Sequence, residues 1–316
     1  MSKFAFTFPG QGSQSVGMMR AYAGLPEIES TFRLASQVLG EDLWELVEQG
    51  PADVLSDTTR TQPLMLTAGI AVYRAWIARG GPAPVLVAGH SLGEYSALVA
   101  AGALDFAEAV ELVRFRAQCM QAAVPPGTGA IAAILGLRDE VVRALCAESS
   151  TADEVVEAAN YNSPAQVVVA GNRGAVERAM ALAKTRGAKR AVLLPMSVPS
   201  HCSLMRDAGV QLRERLTQTK LRMPSIPLLH NADVKVAENI GVLKDALERQ
   251  LSAPVRWVET VRRMVDQGVT VTIECGPGKV LQGLNKRIAG DVTHLSLSDG
   301  AAFEAALEQI RQGAHA

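Results

Sequence analysis

A Gly-x-Ser-x-Gly pentapeptide, Gly89-His90-Ser91-Leu92-Gly93, stands where a short apolar run meets a helical pattern in VLVAGHSLGEYSALVA, residues 85–100. Of all features in the chain, this junction most narrows the fold. In a strand–turn–helix setting the serine occupies a sharp, strained turn, and small neighbours let the backbone pass close by. Its hydroxyl then projects from the carboxyl end of a sheet. The next amide, on Leu92, falls at a helix N-terminus, where unpaired N–H groups can stabilise an oxyanion. The plain alternative is an ordinary turn with Ser91 as a cap, and the flanking pattern favours the nucleophile.

The remaining chain supplies the sheet that such a turn needs. Short apolar runs at Phe4–Phe8, Pro84–Gly89, Ile226–Asn231, Val269–Gly276 and Thr293–Asp299 are too short for helices and read as strands. Long amphipathic segments separate them. The clearest is SLMRDAGVQLRERL, where Leu204, Ala208, Leu212 and Leu216 recur every four residues as one buried stripe. This alternation predicts an α/β fold, a mainly parallel sheet covered on both faces by helices.

The middle of the chain follows another order. After Pro125-Pro126-Gly127 come a strand (AIAAILGL), a helix opened by Asp139, two strands around a turn at Asn162-Ser163-Pro164, a helix (GAVERAMALAKTRGA) and a last strand (AVLLPMS). The sequence β-α-β-β-α-β is the ferredoxin-like split unit. We expect residues 126–197 to form a small domain inserted into a large one built from 1–125 and 198–316.

Composition excludes several classes of function. Of 316 residues 48% are hydrophobic and 20% charged, which supports a substantial core. Lys and Arg number 31 against 32 Asp and Glu, so no overall field favours nucleic acid or an anionic membrane. The cysteines, Cys119, Cys146, Cys202 and Cys275, are far apart and form no C-x-x-C pair, arguing against a metal site or a disulfide framework. The opening MSKFAFTFPGQG reads as a strand rather than a signal peptide, and no apolar run reaches spanning length. A cytoplasmic location is expected. Gly10-Gln11-Gly12 is too little for a dinucleotide fingerprint, since Ser15 stands where a third glycine belongs, and GPGK at Gly276–Lys279 lacks the P-loop spacing.

A serine nucleophile needs a base. Among five histidines, His90 adjoins the serine, His315 is terminal, and His230 and His294 lie at strands. His201, in the Pro-marked loop SVPSHCSLM, remains. The group that orients it is open from spacing alone. Asp105, Asp139 and Asp153 read as caps or loop residues. A helix C-terminus is another solution: IGVLKDALERQLSAP ends before Pro254 and leaves carbonyls near Gln250 free. The segment DFAEAVELVRFRAQCMQ, with Asp105 and Glu108 as a capping box, carries Arg114 and Arg116. Residues two apart face different sides, so only one of them reaches a pocket.

FPGQGSQ (8–14), GHSLGEYSAL (89–98), NSPAQVVVAG (162–171), VPSHCSLM (198–205) and GPGKVLQGL (276–284) together resemble the malonyl-CoA:acyl carrier protein transacylases of type II fatty acid synthesis. The resemblance spans nearly the whole chain. It implies a hydrolase-like large domain with a ferredoxin-like insertion. It also implies Ser91 as nucleophile, His201 as base and then acid, the amides of Gln11 and Leu92 as oxyanion hole, the Gln250 carbonyl as the group orienting His201, and Arg116 as the partner of the malonyl carboxylate. No resident cofactor or metal is implied. Malonyl-CoA is the donor, and the partners are coenzyme A and an acidic acyl carrier protein. KTRGAKR and NKR supply the basic clusters expected to dock it, through Lys189, Arg190, Lys286 or Arg287. Alternatives are a serine esterase or thioesterase, a transacylase of malonate decarboxylation or of a polyketide pathway, and a non-catalytic carrier-binding module.

Overall fold

The structure, a computed structural model, describes residues 3–196 and 198–315, without the side chains of 314 and 315. Ser197, at the expected end of the insertion, and the His315 side chain lie outside the described residues.

Five strands form a parallel sheet in the order β7-β2-β1-β8-β9: β1 Phe4–Phe8, β2 Leu86–Gly89, β7 Leu228–Leu229, β8 Val271–Glu274 and β9 Thr293–Ser296. Its central strand shows why both faces are covered. Side chains alternate across a strand, so in FAFTF the rings of Phe4, Phe6 and Phe8 enter one apolar cluster while Ala5 enters another. Phe6 meets Trp76 of the helix Thr58–Ala78 edge to face, ring centres 5.2 Å apart. On the opposite face Trp257, Val261, Leu281 and Leu284 cover Ala5, Leu86 and Ala88.

A second sheet is antiparallel, in the order β4-β5-β3-β6: β3 Gly129–Leu135, β4 Val156–Ser163, β5 Gln166–Asn172 and β6 Arg190–Leu193. Helices Asp139–Ser149 and Arg173–Thr185 connect β3 to β4 and β5 to β6, and pack with the strands into a separate core. This is the β-α-β-β-α-β order read from the sequence. β4 also pairs with the chain following helix Ile240–Ser252, through Tyr161 N–H to Val255 O (2.9 Å) and Val255 N–H to Ala159 O (2.9 Å).

Two local expectations are corrected. The hairpin turn is Pro164-Ala165, because Asn162 and Ser163 belong to β4 and Ser163 pairs with Gln166. Proline presets the first turn position, and Ala165 takes the positive φ (59°) that the second requires. The leucine stripe starts one turn before its helix: the α-helix is Arg206–Gln218, and Leu204 lies in the 3₁₀ turn Ser203–Met205. GPGK joins β8 to the helix Val280–Ile288, with Gly276 and Gly278 at positive φ, as a strand-to-helix turn should be.

Candidate active site

The serine turn is built by close backbone contact. A Cβ on Gly89 would lie 1.8 Å from the carbonyl carbon of Gly93, and one on Gly93 would lie 2.0 Å from the Phe8 oxygen. Both positions therefore exclude any side chain. Ser91 itself sits at φ 51°, a left-handed conformation that a non-glycine residue adopts only under constraint from its surroundings. The loop after β1 crosses the turn just as closely. A Cβ on Gly10 would meet the His90 oxygen at 2.5 Å and approach the Leu92 amide nitrogen at 3.7 Å. This crossing carries Gln11 to the same cleft as Leu92. Among the described residues, neither of these two amides is spent on a backbone carbonyl.

His201 brings Nε2 to 2.7 Å from the Ser91 hydroxyl. Its Nδ1 lies 2.8 Å from the Gln250 carbonyl oxygen. A carbonyl only accepts, so Nδ1 carries the proton and Nε2 faces the hydroxyl with its lone pair. The helix Ile240–Ser252 ends just beyond Gln250, which leaves that carbonyl available. His201 also has positive φ (63°), so both members of the pair are held in a strained backbone. Burial, followed by the charge of Arg116, pushes the imidazole pKa down to about 3, so the ring is neutral, the form that a base requires.

Arg116 is the buried member of its pair. It is 1% exposed, whereas Arg114, two residues earlier on the helix Phe106–Ala122, makes an ion pair with Glu41 near the surface. Arg116 donates from Nη1 to Gln62 Oε1 (2.6 Å) and from Nη2 to Gln250 Oε1 (3.0 Å) and Ser91 Oγ (3.3 Å). Its Nε has no partner among the described residues. Two neutral amide oxygens thus hold a buried cation beside the nucleophile, and among the described residues no carboxylate lies within ion-pair distance of it. The arrangement suits a ligand that brings its own carboxylate.

These residues line a cleft of about 140 Å³, closed on its other side by Ile131, Val168, Leu194 and Met196 of the second sheet and its flank. His90 also lines this cleft and bridges the two sheets by a 2.8 Å contact with Asn162. His294 engages Thr272 and the Ala289 carbonyl, a structural arrangement. The four basic residues of the expected docking clusters are exposed and stand apart from the cleft's polar centre. Arg287 donates to Gln166 at 2.7 Å, and Gln166, Leu135 and Arg190 align across β5, β3 and β6. Gln166 and Arg190 stand roughly 10 Å apart at two strand spacings, so the two clusters share one end of the second sheet.

Sequence reasoning missed the side chains of Gln62, Glu94, Asn231 and Gln250. Asn231 accepts from the Ser91 amide (2.7 Å) and donates to the Gly89 carbonyl (2.6 Å), while Gln250 Nε2 donates to the Ser91 carbonyl (3.0 Å). A lone amide side chain in a helix or loop carries no periodic signal. The one available clue was Glu94, an acid inside the otherwise small and apolar EYSALVA helix.

The acyl transferase domain model matches residues 5–294, a span that contains every residue of this site. The chain belongs to the acyl transferase family. Within that family it is 52% identical over 309 residues to the malonyl CoA-acyl carrier protein transacylase of Escherichia coli (strain K12), covering 98% of this chain and 100% of that one. Among solved structures it is similar to the acyl-carrier-protein S-malonyltransferase of Burkholderia pseudomallei 1710b, with a TM-score of 0.94, 55% identity and coverage of 97% and 99%. It is similar too to a malonyl-transacylase solved in complex with its type II PKS acyl-carrier protein, with a TM-score of 0.96, 48% identity and coverage of 98% and 100%. The strand–turn–helix serine is thus set in a family whose members transfer acyl groups.

Proposed function

We propose that this chain is a malonyl-CoA:acyl carrier protein S-malonyltransferase of fatty acid biosynthesis, working by a ping-pong route through a malonyl ester on Ser91. The observation that carries the reading is the buried Arg116, which has no carboxylate in ion-pair contact among the described residues and lies within 3.3 Å of the Ser91 oxygen, beside a serine–histidine contact of 2.7 Å. An esterase needs the second feature and has no use for the first. The likeness to malonyl transacylases over the full chain supports the same reading.

In the first half-reaction His201 Nε2 takes the hydroxyl proton as Ser91 Oγ attacks the thioester carbonyl. The amides of Gln11 and Leu92 receive the oxyanion. The C–S bond breaks, and the proton on Nε2 passes to the departing coenzyme A sulfur. In the second half the carrier's phosphopantetheine thiol gives its proton to Nε2 and attacks the ester carbonyl. The C–O bond breaks and Ser91 Oγ recovers the proton. The Gln250 carbonyl keeps the imidazole in the required tautomer throughout. Arg116 holds the free carboxylate, which aims the reacting carbonyl at the amides.

Residues 126–197 act as an inserted domain that closes the cleft. Lys189, Arg190, Lys286 and Arg287, at one end of it, provide the basic rim for the acidic carrier, and charge reversal there should slow transfer to carrier at low salt. No helix among the described residues is long and apolar enough to cross a membrane. A cytoplasmic enzyme with no resident cofactor is our reading. The test is product partition: with malonyl-CoA and carrier protein, malonyl-carrier should form far faster than free malonate. Free malonate as the main product would assign the chain to the hydrolases.

A further inference from the structure

Behind the serine–histidine pair lies a second histidine–acid pair with no part in the chemistry above. Glu94, in the first turn of the helix Gly93–Ala100, is wholly buried, as is His230. Glu94 Oε1 lies 2.7 Å from His230 Nδ1. Glu94 Oε2 accepts from the Asn231 amide at 3.0 Å and from Gln250 Nε2 at 2.8 Å. Three donors therefore converge on one buried carboxylate. Burying such a charge is costly unless it is fully engaged.

The residues gathered by Glu94 are the ones that grip the site. Asn231 holds the Ser91 amide and Gln250 Nε2 holds the Ser91 carbonyl, so side chains clamp both sides of the strained serine. Gln250 Oε1 accepts from Arg116. An amide side chain has one accepting and one donating end. A carboxylate only accepts, so Glu94 requires the NH₂ of Gln250 to face it and leaves the oxygen facing Arg116. A reversed amide would point its hydrogens at a guanidinium. Gln250 is also the residue whose main-chain carbonyl holds His201.

We propose that Glu94 is a positioning residue of the transfer site, fixing through Gln250 and Asn231 the orientation of Arg116 and the strained turn of Ser91, and so the preference for a carboxylate-bearing acyl group. This rests on the malonyl-transfer reading above. Glu94 touches no reacting atom. His230 acts one step further back, occupying Oε1.

The experiment compares wild type with Glu94→Ala, Glu94→Asp and Glu94→Gln, each checked for fold by circular dichroism. Transfer from malonyl-CoA and from acetyl-CoA is measured as separate kcat and KM. Losing the orientation of a positioned group typically costs about 10²-fold, and Glu94→Ala should lose on that order in malonyl transfer, with a raised KM for malonyl-CoA. Acetyl transfer, which does not use Arg116, should fall less, so the malonyl-to-acetyl ratio drops. Glu94→Asp keeps the charge but is one methylene short, and its ratio should drop too, which preserves the test if the alanine variant does not fold. Glu94→Gln can keep its oxygen toward Asn231 and Gln250 while its NH₂ faces the other tautomer of His230, and should recover most of the ratio. A folded alanine or aspartate variant with an unchanged ratio overturns the proposal alone. Wild type that transfers no malonyl group overturns the functional reading and this proposal with it.

Discussion

Arg116 sets its Nη2 3.3 Å from the Oγ of Ser91, inside a core where the guanidinium is 1% exposed. A buried cation at a nucleophile has to be explained, because desolvation opposes it. Here it is held by two amide oxygens, an arrangement that supplies geometry without cancelling charge.

The first consequence concerns choice of donor. Arg116→Ala should lower kcat/KM for malonyl-CoA by about 10–10²-fold, the usual worth of a hydrogen bond to a charged group. Acetyl-CoA has no carboxylate to lose and should suffer less, so the preference narrows. Steady-state kinetics with both donors decides this. An equal loss on the two would remove the carboxylate role.

The second concerns the crossing of the β1 loop over the serine turn. Gly10→Ala would place a methyl 2.5 Å from the His90 oxygen and force the loop outward. The Gln11 amide would then withdraw from the Leu92 amide. Losing one oxyanion donor costs about 10²–10³ in rate, and the loss should appear in kcat with little change in KM. A folded Gly10→Ala enzyme with normal kcat would show that the loop does not place a donor.

Much of this site is readable in the sequence, for identifiable reasons. Ser91 was legible because the turn needs Gly89 and Gly93, residue types that backbone contact dictates. That free carbonyls lie near Gln250 is legible because a helix ending before Pro254 must leave them unpaired, while the choice of Gln250 among them comes from the family resemblance. The nine-strand architecture was legible because apolar runs and four-residue stripes alternate. The side chains of Gln62, Glu94, Asn231 and Gln250 were not legible, because what makes them functional is burial beside one another, brought about by segments up to 188 positions apart. The hairpin turn was misplaced by two residues because Asn162-Ser163-Pro164 has turn chemistry, whereas pairing of Ser163 with Gln166 set the register.

The third consequence concerns pH. The His201 pKa stands at about 3 in the fold, chiefly through burial, against about 6.5 in an unfolded chain. The folded state therefore binds fewer protons in that window. Stability is fully present above roughly pH 6.5 and falls as pH drops toward 3. Burial lowers the pKa of His90 and His294 as well, adding to the same trend. For activity, kcat/KM reports the free enzyme. It should stay level as pH falls through the ordinary imidazole range, and an inflection near roughly 6.5 would contradict the buried neutral base. In the malonyl-enzyme the substrate carboxylate offsets the field of Arg116. The acid limb of kcat should therefore lie at higher pH than that of kcat/KM, a difference read directly from the two profiles.

The central claim is a malonyl ester on Ser91 that awaits a thiol. Intact-mass measurement of the protein after incubation with malonyl-CoA tests it most directly, followed by addition of carrier protein, with Ser91→Ala in parallel. The account predicts one added malonyl group on wild type, located at Ser91. Addition of carrier should remove it as malonyl-carrier appears, and the alanine variant should gain no such mass. An active wild type with no adduct, or an adduct that persists in Ser91→Ala, would contradict it.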